Sequence, residues 1–188
     1  GVLFCACFVT TAAAKIISGE MKNGCYWEIN TDTGTLRIFG NGQITDLNSD
    51  LYQNKYWNSY SDSVKNIIIE KDVLLDSDSS RILQQPSYFS NLQNIRYNIE
   101  GGFYYLFVPN PNTLTIGGKG KFPSSGEGKP FFEQGINLVV EDGITGITEA
   151  KISDIVNNLV VGKDCKDGIT NLVVNFTVEI DPENPYYS

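Results

Sequence analysis

Along much of this chain apolar and polar residues alternate with a period of two, the mark of a strand with one face buried, and not with the period of an amphipathic helix. In residues 34–44, Leu36 and Ile38 point one way and Arg37 the other. The pattern returns in residues 112–122, where Thr35, Leu36, Ile38, Gly40 and Gly42 meet Thr113, Leu114, Ile116, Gly118 and Gly120 at one constant offset. Agreement of that kind marks an internal repeat. Gly40-Asn41-Gly42 and its counterpart read as the turn of a duplicated hairpin, since glycine takes positive φ without steric cost.

Each copy ends in a wholly apolar triplet, Ile67-Ile68-Ile69 within residues 66–70 and Leu138-Val139-Val140 within residues 137–141. Such triplets suit strands covered on both faces. Tyr56-Trp57 and Pro130-Phe131 hold similar places before them. Short apolar strands then keep returning, as Leu159-Val160-Val161 and Leu172-Val173-Val174, each introduced by Asn and interleaved with Gly-Ile-Thr at 143–145 and 168–170. Stacked short strands of this kind predict a ladder in which each rung buries its apolar edge on the next. Ile152, Ile155 and Val156 have helical spacing, which predicts a weak helical turn over residues 149–156. The predicted fold is mainly β. A first β-module with an apolar rung occupies residues 15–103, and a second occupies 104–188 and continues into the ladder.

Residues 1–14 differ from all this. Val2 to Ala14 is an apolar stretch passing into small residues, with Ala12 and Ala14 in an A-x-A arrangement and Lys15 opening the polar body. This is the pattern of a secretory signal peptide, here without its basic leading region, and it predicts a secreted or cell-surface protein. The body's formal charge of −8 and its lack of a Lys/Arg stripe argue against nucleic acid as a partner. No later apolar run approaches the roughly 18 to 20 residues of a membrane span. An apolar fraction of 41% predicts a folded rather than a disordered chain.

Four motifs carry a resemblance. They are Cys25-Tyr26-Trp27 leading into residues 34–42, then Trp57-Asn58-Ser59-Tyr60, then the strand at 64–70, and last the segment at 181–188. In that order they resemble the BspA-like leucine-rich-repeat surface proteins of bacteria and parasitic protists. The resemblance spans residues 19–72 and 112–188, whereas 74–107 matches poorly and the regular Ala-Phe and Cys positions of the repeats are mostly missing. It implies two related β-hairpin modules leading into a leucine-rich-repeat-like short-strand solenoid. It also implies adhesion or protein–protein binding at a surface, without catalysis, and further repeats beyond Ser188.

Histidine is absent from the chain, which removes His-activated nucleophiles and the commonest zinc ligand. The catalytic option left is a carboxylate pair of the glycosidase kind, with acids about 5 to 9.5 Å apart. Residues 117–121, Gly-Gly-Lys-Gly-Lys, lack the Ser or Thr of a phosphate loop, and residues 76–87 lack the Gly and Glu of an EF-hand and read as a solvated loop. No catalytic, cofactor or metal residue is expected. Asn175 in Asn175-Phe176-Thr177 is a glycosylation candidate. Cys25 and Cys165 are the body's two cysteines, open to a disulfide if their Cα atoms come within about 4.4 to 6.8 Å, or else to burial as thiols. Trp57 reads as core, whereas Tyr56, Tyr60, Tyr104, Tyr105, Tyr186 and Tyr187 are candidates for a binding face. The expected partner is a protein or cell-surface ligand, with a glycan as the other class. The rival expectation is a carbohydrate-binding or carbohydrate-processing module, which requires a concave groove lined by Tyr or Trp with two inward acids. A purely structural coat protein comes third.

Overall fold

The strands form where the sequence alternates, and their order follows the repeat. The computed structural model describes residues 15–123, 136–145 and 156–161. Strands β1 (Ile16–Glu20), β2 (Cys25–Asn30) and β3 (Thr35–Gly40) form an antiparallel meander. The chain then passes through β4 (Gly42–Ile44) and helix α1 (Leu47–Tyr52) and returns as β5 (Asn66–Ile69), parallel to β3. Strand β6 (Val73–Leu75) pairs with β4 in a small second sheet, and helix α2 (Ser77–Leu83) leads to β7 (Asn94–Asn98), parallel to β5.

From β7 the same events recur. Strands β8 (Tyr104–Val108) and β9 (Thr113–Gly117) complete a second meander with β7. Strand β10 (Gly120–Lys121) pairs with β12 (Ile144–Thr145), while β11 (Ile136–Val140) and β13 (Val156–Val161) add in parallel beyond β9. The protein is thus mainly β, built on one mixed, open sheet in the order β1-β2-β3-β5-β7-β8-β9-β11-β13.

Register shows how far the duplication reaches. Ile17 faces Ile29 as Ile95 faces Phe107, Leu36 faces Ile67 as Leu114 faces Leu138, and Gly42 faces Val73 as Gly120 faces Ile144. Met21 N donates to Cys25 O at 2.8 Å, and Ile99 N donates to Phe103 O at 2.9 Å. The repeat therefore opens at β1 and β7, well before the strands whose residues match. Strand β7 has two roles, as the last parallel strand of the first unit and the counterpart of β1 in the second. Between β1–β2 and β7–β8 the turn geometry and the apolar class persist, with residue identity only at Ile17 and Ile95, Gly24 and Gly102, and Tyr26 and Tyr104. Asn23 and Gly24 at φ 60° and 76° correspond to Gly101 and Gly102 at 70° and 79°.

One face of the sheet carries the core. Trp27, Ile29, Leu36, Ile38, Ile67, Ile69, Ile95, Tyr97, Tyr105, Phe107 and Ile116 are buried there in a single cluster with Leu47, Leu51, Trp57, Leu83, Phe89 and Phe122. Trp57 is fully buried and meets Trp27 edge-on at 6.1 Å. The long α1–β5 connection is pinned by a buried carboxylate. Asp50 accepts from Lys22 Nζ at 3.0 Å, Lys55 Nζ at 2.9 Å and Tyr56 Oη at 3.0 Å. Burial alone would raise the Asp50 carboxyl, but these three donors outweigh it and hold it below its ordinary value. Asp46, Asn54 and Tyr56 all sit at positive φ around this anchor.

Three expectations change. Gly40-Asn41-Gly42 is not a hairpin turn, because β3 and β4 lie in different sheets; it is a corner where Gly40, at φ 118°, passes against the Gly24 carbonyl. The residues read as a solvated loop from Asp76 begin instead as α2, capped by Asp76 Oδ1 accepting from Ser79 N at 2.7 Å. The triplet 67–69 is covered fully on one face only: Ile67 and Ile69 are buried, and Ile68 is half-buried opposite them. Val156 of the predicted helical turn opens β13, and the rest of that turn lies outside the described residues.

Candidate functional site

Because side chains alternate along a strand, the outer face of the sheet collects the polar half of every β-pattern. Cross-strand pairing sets Glu28 of β2 beside Arg37 of β3, Arg37 beside Ile68, and Ile68 beside Arg96 of β7. Asn98 faces Tyr104, and Tyr104 faces Gly117. These residues join in one line across both units. Arg37 reaches Glu28 at 3.3 Å and Glu70 at 2.7 Å, and Asn98 Nδ2 donates to the second Glu70 oxygen at 3.1 Å. Arg96 Nε donates to Asn98 Oδ1 at 2.8 Å, and its guanidinium lies 3.7 Å from the Tyr104 ring centre. Tyr104 Oη donates to the Glu141 carboxylate at 3.0 Å.

Arg37, Glu70, Asn98, Arg96 and Tyr104 each meet two neighbours in the line. Glu70 bonding raises the Arg37 value further, and burial of Glu70 is outweighed by Arg37 and Asn98, so its carboxyl titrates below the ordinary range. An aromatic patch closes one end, where Tyr26 stacks on Phe39 at 5.8 Å and Arg37 covers Phe39 at 4.8 Å. Tyr26 is 41% exposed. Glu70 and Asn98 also line a cleft of about 280 Å³ together with Tyr97, Tyr105, Asp72 and Glu100. Burial pushes both tyrosines up to about 12, so they are hydrogen-bonding phenols and not proton donors near neutral pH.

The cleft is lined by Tyr97 and Tyr105 and by the acids Glu70, Asp72 and Glu100. Arg37 and Asn98 hold the Glu70 carboxyl below its ordinary value, which suits an ionised hydrogen-bond acceptor rather than a general acid. Asp72 pairs with Lys71 at 2.7 Å. The arrangement is suited to hold hydrogen-bonding groups and flat apolar surface.

Of the residues singled out from sequence, Cys25 is fully buried beside the Gly40 corner, with its thiol raised by burial. Cys165 and Asn175 lie outside the described residues, as do Tyr186 and Tyr187. Tyr104 lies on the outer face and Tyr105 in the core, as neighbours on a strand must. Tyr56 and Tyr60 pack against the core. The line from Glu28 to Glu141 leaves one signal in the sequence: Glu70 and Glu141 close the two repeated rungs at matching places. No protein-family profile, no curated protein and no solved structure matches this chain. Among the described residues no helix is long and apolar enough to cross a membrane.

Proposed function

We propose that this chain is the binding part of an exported surface protein of the BspA-like kind, whose two β-modules lead into a leucine-rich-repeat-like solenoid and engage a protein ligand without catalysis. One observation carries the reading: the outer sheet face joins both modules in a single fixed line of Arg, carboxylate, Asn and Tyr groups, with the Tyr26–Phe39 patch beside it. Rigid aromatic and Arg groups of this kind are the usual anchors of protein interfaces. The signal-like start and the family motifs support placement outside the cell.

The test is saturable binding of the purified chain, from Lys15 onward, to intact cells and to a glycan panel. Tyr26→Ala with Phe39→Ala is expected to weaken cell binding at least about tenfold while leaving the melting temperature within a few degrees. Binding to one glycan alone, blocked by substitution at the cleft, would move the assignment to the carbohydrate reading that the walls of the cleft also support.

A further inference from the structure

Four strands of the large sheet run on, past a corner, into a short strand of a second layer: β3 into β4, β5 into β6, β9 into β10 and β11 into β12. Strand β7 does not. It turns back at Glu100–Gly102 into β8, so the second layer stops at β6 and resumes at β10. In the large sheet β7 and β8 separate β5 from β9, and at about 4.8 Å per strand this leaves a gap two strands wide between β6 and β10. The cleft of about 280 Å³ lies in that gap, with Val73 and Leu74 on one side, Phe122 and Pro123 on the other, and Tyr97 and Tyr105 of the interrupting strands between them.

Backbone groups face this gap. Gly42 N donates to Asp72 O and Asp76 N to Ile44 O, so β6 meets β4 through Asp72, Leu74 and Asp76. Alternation turns Val73 O and Leu75 N–H the other way, and among the described residues neither has a partner. Leu74 beside them is 43% exposed. In the first unit the free edge of the second layer is closed, because Asn23 Nδ2 donates to Gln43 O at 2.8 Å and Asn23 O fills the space beside Gly42. Gly101 stands at the place of Asn23 and has no side chain to donate. A Cβ on Gly102 or Gly120 would meet nothing within 4 Å, so the second unit is open where the first is closed. Charge decides what suits the opening. Its charged residues are Glu70, Asp72 and Glu100 against Lys71 alone, while Tyr97, Tyr105 and Phe122 supply apolar surface.

We propose that the gap between β6 and β10 receives an extended peptide segment of a partner protein, with basic and apolar residues alternating, laid on the free edge of β6 as an added strand. Main-chain bonds to Val73 O and Leu75 N–H hold it, its apolar side chains turn toward the tyrosines, and its basic ones meet the carboxylates. The site stands whether or not the Tyr26–Phe39 patch binds a ligand of its own. Fluorescence anisotropy of a labelled Val-Lys-Val-Lys-Val peptide with the full chain, from micromolar to millimolar, is the test. Saturable binding is expected, at least about tenfold tighter than that of Val-Glu-Val-Glu-Val. Methylating alternate amide nitrogens of the peptide should weaken binding at least about tenfold in one phase of the alternation and little in the other, which a purely electrostatic contact would not show. Glu100→Gln, an exposed change in a turn, should weaken binding about threefold with the melting temperature unchanged. Hydrogen exchange at the Leu75 amide should be fast in the free chain and slowed by the peptide. Equal binding of the two peptides, indifference to amide methylation, or a Leu75 amide already protected in the free chain would each overturn the proposal. So would a glycan that occupies the cleft when the basic peptide does not.

Discussion

The ring of Tyr104 lies in the space that a side chain on Gly117 would fill, so the strand pair β8–β9 is fitted together by the absence of one Cβ. In the first unit the same two places hold Tyr26 and Phe39, stacked ring on ring. The exchange of Phe39 for Gly117 lets the Tyr104 hydroxyl descend to Glu141, whereas in the first unit Glu70 is held by Arg37. Two copies of one backbone thus make different surfaces.

Gly117→Ala should displace the Tyr104 ring and cost about 1–3 kcal/mol, read by urea unfolding, as overpacking usually does. Tyr104→Ala in the same chain should return part of that loss. If Gly117→Ala is neutral, the ring has room that the geometry denies it.

The Asp50 anchor predicts a pH dependence. Its folded value lies below the unfolded value of about 3.9, so the stability it contributes is complete above that pH and disappears as the pH falls through the folded value. Glu70 contributes in the same direction from an unfolded value of about 4.3. Asp50→Asn should lower stability by about 1–3 kcal/mol at neutral pH and flatten the acid limb below about pH 4. Chemical unfolding at a series of pH values reads both effects.

Trp57 fills the core, yet its indole N–H has no hydrogen-bond partner among the described residues. Trp57→Phe should therefore cost only packing, about 1–2 kcal/mol, whereas Trp57→Ala should cost about 3–5 kcal/mol. Equal losses for the two, in thermal or urea melts, would show that the indole nitrogen matters after all.

Cys25 is inaccessible, and burial raises its thiol. It should resist alkylation in native buffer and react within minutes in denaturant without reductant, as read by mass mapping of the labelled peptide. Protection in denaturant that only a reductant removes would instead establish a bridge.

The local elements of this fold were legible because their cause is local. Leu36 and Ile38 alternate with Arg37, and the same spacing returns at Leu114 and Ile116, so strands and a duplication could be read directly. Strands β7 and β8 lie almost wholly in residues 74–107, which match the family poorly apart from 91–95, since Phe103, Tyr105 and Phe107 share only apolar character with Cys25, Trp27 and Ile29. Packing demands apolarity at those places, not identity. The Gly40 corner differs from the expected hairpin turn for a related reason: a positive φ is written in the residue, but whether the chain turns back or leaves the sheet depends on what lies beside it.

The polar line across the outer face was decided by tertiary structure alone. Arg37, Glu70, Asn98 and Tyr104 come from four separate stretches of chain and meet only because the parallel register of β3, β5 and β7 and the antiparallel register of β7 and β8 align them. By itself the sequence determined a β-rich chain, its repeat and the residues able to form strands, since alternation and turn chemistry act over a few residues. The sheet order and the line of charges depend on which strands lie side by side, and contacts between distant segments settle that.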